Sequence, residues 1–380
     1  MKTLKERFAE AATKYPALKK ACEAQVVRWE WASFGLYHPK PFFNERKKIG
    51  KGRKLDGKPA TIKSGMRQYG FDSDDRIVVV RQYTEFSGRF YEEFFVATED
   101  QIEGTHFDPY EHKPVGNVTR QTFKDGRIIS FGLWGTNGES TEAYQYNGDR
   151  ITSIKTIGTN FLPRKEYSIA ETIGYDEIGR LSLIQREFSE GNRTSKEILY
   201  KRPRKGESVN ELVEIIRGKL VRQIPETLRA ARIADRVYCL ILPYTKEDAP
   251  VLPPEIALGL DRQRKAWVKE KGKDAKGYVW NAAEFERSGD TALTLDDAEL
   301  IAACDLFNQQ IALNGKWNLT RKLLNEVARE LMQMNWKGTL AVTDDFIVFA
   351  LDYEETDFRA NLKASVSPVR LAMLKAKGLL

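Results

Sequence analysis

The sequence predicts an α+β chain: an N-terminal helical arm and an antiparallel β-hairpin sheet, then a C-terminal α+β domain. Three observations predict it. Apolar residues recur at helical spacing up to about residue 31. From about residue 71 to 200 they alternate, between turns rich in Asp, Asn and Gly. After Arg204 the helical period returns, interrupted by short continuous apolar runs. The predicted segments are 1–70, a helical arm and basic loop; 71–203, an antiparallel β-meander; and 206–380, an α+β domain. A chain of 380 residues suits this division, since domains run to roughly 100–200 residues.

Leu4, Phe8, Ala11, Ala12 and Tyr15 set the first helix, which Pro16 is expected to end. Leu18, Ala21, Cys22, Val26 and Trp29 predict a second over about 17–31. Trp29, Trp31, Phe34 and Tyr37 form an aromatic cluster suited to packing this arm onto the next domain. In the middle segment one phrase recurs: a polar turn, an arginine, an aliphatic, then an alternating strand. It stands at Asp75-Arg76-Ile77, Asp125-Gly126-Arg127-Ile128, Asn147-Gly148-Asp149-Arg150-Ile151 and Ile178-Gly179-Arg180-Leu181. Such turns reverse a chain within two residues, so each copy reads as a hairpin.

Beyond Arg204, Leu212, Ile215, Ile216, Leu220 and Ile224 mark a helix ending near Pro225, and 227–234 a further short one. Val237 to Leu242 is uniformly apolar, the pattern of a strand buried on both faces. Pro253 and Pro254 are expected to open a helix reaching Lys271, because proline suits a first turn. Asp296 or Asp297 caps the next helix and Thr320 another. Residues 339–343 and 346–351 read as a hairpin around Asp344-Asp345. Asp357 and Ser367 start the last two helices.

Lys+Arg number 61 against 54 Asp+Glu, a formal net charge of +7. The excess lies in residues 1–205 and is densest from Arg46 to Arg67, with Lys47, Lys48, Lys51, Arg53, Lys54, Lys58 and Lys63 between. A basic run with Gly50, Gly52 and Gly57 suits nucleic-acid backbones, which makes a nucleic-acid-associated protein the alternative reading. Three cysteines, far apart, exclude a disulfide-rich scaffold and point to reduced, buried thiols. The first twenty residues lack the apolar core of a secretory signal, and no apolar run is long enough for a membrane helix. The expected place is the cytoplasm, without membrane partners.

No phosphate-binding loop, dinucleotide glycine fingerprint or Gly-x-Ser-x-Gly elbow is present, so neither cofactor nor catalytic residues are assigned and no enzyme is predicted. His106, Asp108, Glu111 and His112 lie within seven residues but match no metal-ligand spacing. The pair Glu92-Glu93 reads as solvated acids. Asp344, Asp345, Glu354, Glu355 and Asp357 make the C-terminal part locally acidic, a surface for a basic protein partner; Trp280 and Glu284 complete the candidate partner-binding set.

Tyr146-Asn147-Gly148-Asp149-Arg150-Ile151 and Tyr175-Asp176-Glu177-Ile178-Gly179-Arg180-Leu181 resemble the tyrosine–aspartate (YD, or Rhs-type) repeat of bacterial toxin-system proteins. Residues from about 208 to 380 resemble a bacterial domain family of unknown function grouped with the immunity proteins of polymorphic toxin systems. That likeness rests on Val237 to Tyr244, Tyr278 to Phe285, Met332 to Trp336, Val342 to Ala350 and Ala360 to Val366. Both resemblances imply a bacterial immunity-type protein, which neutralises a cognate protein toxin by stoichiometric occlusion and needs no active site.

Overall fold

The computed structural model describes residues 2–86, 88–108, 114–245, 252–353 and 357–380. The chain divides into two compact units, Met1–Arg202 and Pro203–Leu380.

The first unit opens with α1 (Leu4–Glu23). Thr3 caps it: its hydroxyl accepts from the Glu6 amide while the Glu6 carboxylate accepts from the Thr3 amide. Pro16 does not end this helix but lies inside it. An interior proline forgoes a backbone hydrogen bond. Packing offsets the loss, because Tyr15, Leu18 and buried Cys22 lie against Val79, Phe94 and Phe107 of the sheet. The second helix expected over 17–31 is therefore replaced by the end of α1 and a strand, β1 (Arg28–Ala32), which pairs Trp29 with Gly70.

There follow α2 (Phe43–Lys47), β2 (Lys54–Leu55), β3 (Arg67–Phe71), β4 (Ile77–Tyr83), β5 (Phe90–Ala97), β6 (Gln101–Phe107), β7 (Pro114–Lys124), β8 (Arg127–Gly135), β9 (Gly138–Asn147), β10 (Arg150–Phe161), β11 (Arg164–Tyr175), β12 (Leu181–Glu190) and β13 (Arg193–Lys201). Among the described residues these strands form one sheet of thirteen, in the order β13 to β3 and then β1 and β2, every pair antiparallel. Residues 1–70 are thus no separate arm, since they supply β1, β2 and most of β3.

The recurring phrase has one physical design. Asp125 and Gly126 both take positive φ, the two-residue turn that matches strand twist. Tyr146 Oη donates to the Ile128 carbonyl at 2.9 Å, with Arg127 over its ring. One hairpin later, Tyr175 Oη donates to the Ile151 carbonyl at 2.9 Å, with Arg150 over its ring. Each tyrosine therefore locks onto the arginine–aliphatic pair of the preceding hairpin. Asp72 and Asp176 each accept from the amide and Nε of the arginine four residues on, Arg76 and Arg180, closing their turns identically. The sheet edges are a two-residue strand, β2, and the charged β13, which limits edge-to-edge pairing.

The second unit holds α3 (Val209–Ala230), β14 (Val237–Tyr244), β15 (Ala257–Leu260), α4 (Asp261–Lys271), α5 (Lys276–Val279), α6 (Ala298–Asn314), α7 (Asn318–Met332), β16 (Val342–Asp352), α8 (Phe358–Ser365) and α9 (Pro368–Ala376). Central β14 pairs antiparallel with β15 and parallel with β16. Leu240, Leu242, Val348 and Ala350 face a core with α3, α6 and α7. Cys239, Ile241, Ile347 and Phe349 face the opposite core with Trp280, Leu362 and Leu374. Burial on both faces explains the unbroken apolar runs.

Four expectations are corrected here. Pro225 lies inside α3, which continues to Ala230. The segment after Pro254 enters β15 before α4 begins, since its apolar residues complete the sheet. Thr320 is buried within α7 and caps nothing. Residues 342–352 make one strand and not a hairpin: β16 pairs with β14 at Val342 and again from Ile347 to Asp352, and Asp344-Asp345 lie in the register shift between. Asp297 and Ser367 do cap α6 and α9. All three cysteines are buried and unpaired.

Candidate functional site

The acidic set from the C-terminal part is dispersed. Asp345 is buried, accepting from Thr343 Oγ1 at 2.6 Å and pairing with Arg264 at 3.1 Å and Lys377 at 2.9 Å. Burial opposes its ionisation, but these donors outweigh it and hold the carboxyl at about 2. Asp344 is exposed, 3.7 Å from Arg236. Asp357 precedes α8 and pairs with Arg321 at 3.3 Å. Trp280 is buried and donates from Nε1 to the Leu379 carbonyl. Of this set Asp344 and Glu284 are surface groups; Asp345 and Trp280 are internal, because period-two alternation and core packing turn them inward. Glu354 and Glu355 lie outside the described residues, as do Glu111 and His112.

The basic run is partly consumed inside the first unit. Arg46 is buried and makes a two-pronged bond to Glu142, both contacts 3.1 Å. Its Nε lies 2.6 Å from Glu171. Lys54 pairs with Glu30 at 2.7 Å. Lys51, Arg53, Lys58 and Lys63 remain exposed.

The two faces of the large sheet are covered differently. On one face α1 covers β4 to β8. Under it, buried Glu92 accepts from Tyr15 Oη at 2.5 Å and Arg81 Nε at 2.9 Å, with Lys19 at 3.2 Å. Neither member of the pair Glu92-Glu93 is a freely solvated acid, and the two point to opposite faces. Beyond β8 no described residue of the first unit covers this face. The register of β9 to β13 aligns Thr141, Ala143 and Gln145 with Lys155 and Ile157, Ala170 and Thr172, Gln185, and Lys196 and Ile198. All ten are exposed, and Ile157 and Ile198 remain 59% and 50% accessible. The result is a strip that carries Lys155 and the Glu187–Lys196 pair and leaves two aliphatic side chains in water.

On the other face, residues 36–47 lie across the sheet. Leu36 N donates to Tyr69 Oη at 2.8 Å, Tyr37 Oη donates to Glu30 at 3.0 Å, and Arg46 is held by β9 and β11. Between this segment and β3 to β8 is a cavity of about 690 Å³. Phe71, Val80, Phe95, Ile102, Phe131 and Leu133 supply apolar wall; Arg67, Gln82, Tyr91, Glu93, His106, Thr119 and Gln121 supply polar groups.

Sequence reasoning missed this cavity. Its polar residues come from five strands, and only the pairing register brings them together. Glu93 sits directly opposite His106, and Gln82 between Arg67 and Tyr91. Tyr91 stacks on the His106 ring at 5.4 Å. Three glycines clear the space. A Cβ on Gly104 would come within 2.5 Å of Thr119 Oγ1 and 3.1 Å of Glu93 Oε1, one on Gly116 within 3.1 Å of His106, and one on Gly35 within 3.3 Å of the Arg67 guanidinium. Burial raises the Glu93 carboxyl to about 7, with Arg67 opposing. Burial and Arg67 lower His106, keeping the imidazole neutral.

No family model, curated protein or solved structure matches this chain. Among the described residues, no helix is long and apolar enough to cross a membrane.

Proposed function

We propose that the chain is an immunity-type binding protein that neutralises a cognate protein toxin by stoichiometric occlusion, docking through the open face of β9 to β13. One observation carries the reading: this strip leaves Ile157 and Ile198 half in water, while α1 covers the same face of β4 to β8. Water-exposed aliphatic groups on a rigid surface gain free energy when a partner covers them. A five-stranded platform keeps them fixed, so little ordering cost opposes binding. The resemblances of residues 146–181 and 208–380 to toxin-system families support the same biology.

The test is co-expression with the product of the neighbouring gene. The reading expects a one-to-one complex that survives high salt, and rescue of cells exposed to that product. Recovery of nucleic acid alone, lost as salt rises, would overturn it in favour of Lys51, Arg53, Lys58 and Lys63 as a phosphate-binding patch.

A further inference from the structure

We infer that the cavity between residues 36–47 and β3 to β8 is a binding site for a small zwitterion with an apolar body: an α-ammonium and a carboxylate, as in an apolar amino acid or short peptide. The inference is independent of the docking face, which lies on the other side of the sheet.

Elsewhere in the first unit each buried carboxylate has a cation. Glu30 has Lys54 and Arg28, Asp72 has Arg76, Glu92 has Arg81 and Lys19, Glu142 has Arg46 and Lys40, and Glu171 has Arg46 and Arg186. Glu93, half-buried, differs: it lines the cavity and, among the described residues, makes no hydrogen bond or ion pair. Arg67 lines the same cavity without a carboxylate partner. Its Nη2 donates to Gln82 at 2.9 Å, but its Nε is buried and unpaired. The buried Thr119 Oγ1 is also unpaired. An unpaired buried polar group costs free energy that a ligand recovers by pairing with it.

Set into its wall the cavity thus presents an unmatched cation, Arg67, and an unmatched anion, Glu93, that make no ion pair with each other; Lys47, also on the lining, is exposed to solvent. A plain anion would leave Glu93 unmatched and be repelled by it; a plain cation would leave Arg67 unmatched. A zwitterion answers both. Arg67 Nε donates to the ligand carboxylate, and Glu93 accepts from the ammonium. Thr119 Oγ1 takes a remaining polar contact. Phe71, Phe95 and Phe131 receive the apolar body, and the volume lies within the usual range of small-molecule sites.

The experiment is isothermal titration of the full chain, refolded to free it of retained ligand. The probes are L-phenylalanine and L-phenylalanyl-L-phenylalanine. 3-Phenylpropanoate lacks the ammonium, and 2-phenylethylamine lacks the carboxylate. The inference expects at least one zwitterion to bind and both single-charge analogues to bind about 10-fold or more weaker. A preference for the first or second probe tells free amino acid from peptide. R67M and E93Q should each weaken the zwitterion by about 10- to 100-fold. R67M should not weaken 2-phenylethylamine, nor E93Q 3-phenylpropanoate, and each should bind somewhat tighter because the like charge is gone. Thr119→Val, close to isosteric, supplies a milder loss should a charge variant not fold. Equal affinity for zwitterion and single-charge analogues, or no binding of either zwitterion, would overturn the inference.

Discussion

Replacing Arg46 with methionine removes the residue that fastens segment 36–47 to the sheet. Its side chain is 8% exposed and contacts two carboxylates, Glu142 and Glu171, that are 5% and 0% exposed. Breaking a buried pair from one side costs about 3–5 kcal/mol, because the remaining charge is stranded. Here neither carboxylate is wholly stranded. Glu142 keeps Lys40 at 2.8 Å and Tyr144 Oη at 2.6 Å; Glu171 keeps Arg186 at 2.8 Å. The expected loss is therefore the lower limit, about 3 kcal/mol. The assay is urea unfolding followed by hydrogen exchange in peptides from β9 to β12, which reads the first unit apart from the second. The pH dependence gives a second check. Burial opposes ionisation of Glu142, but Lys40 and Arg46 hold its carboxyl at about 2, below its ordinary 4.5. A depressed carboxyl contributes stability above its unfolded value and loses it as pH falls, so this contribution disappears between about 4.5 and 2. The variant should show a flatter acid limb. A loss below about 1 kcal/mol with an unchanged limb would refute the reasoning.

Other outcomes follow from the same geometry. Glu93→Gln should stabilise the unliganded protein at pH 8 by up to about 3 kcal/mol and little at pH 4. The sign follows from its raised value: the folded state keeps a proton that the unfolded state releases, so wild-type stability falls as pH rises from 4.5 through about 7. Parallel melts at the two pH values check it. Tyr146→Phe and Tyr175→Phe should each cost about 1 kcal/mol by removing one cross-strand hydrogen bond, read as the shift in urea midpoint. Asp345→Asn should cost about 2 kcal/mol, since Arg264 loses one of two carboxylates, whereas Asp344→Ala should change stability by less than about 0.5 kcal/mol; thermal melts of the pair check the contrast.

The hairpins were legible because turn chemistry is local. Asp125-Gly126 and Gly148 declare positive φ, and the alternation beside them fixes the face. Capping was equally local at Asp297 and Ser367. What the sequence concealed was decided by distant contacts. Pro16 reads as a helix end, yet α1 continues because the sheet buries its apolar side. Val26 and Trp29 fit a helical period, but residues 28–32 pair with β3. Asp344-Asp345 has the composition of a turn, but lies in a strand that pairs with β14. The cavity was least legible, since Arg67, Glu93, His106 and Thr119 belong to four strands and meet only through register. One signal was present. Alternation places Glu92 and Glu93 on opposite faces, so two neighbouring glutamates on a strand already imply two different environments.

The most direct test of toxin occlusion is the affinity of the purified pair with Ile157→Glu and Ile198→Glu, each folded by circular dichroism. Docking on the open face of β9 to β13 predicts at least about 30-fold weaker binding for either change, the loss of about 2 kcal/mol typical of a central contact. Unchanged affinity in both variants would contradict it, and would move the interface away from this face.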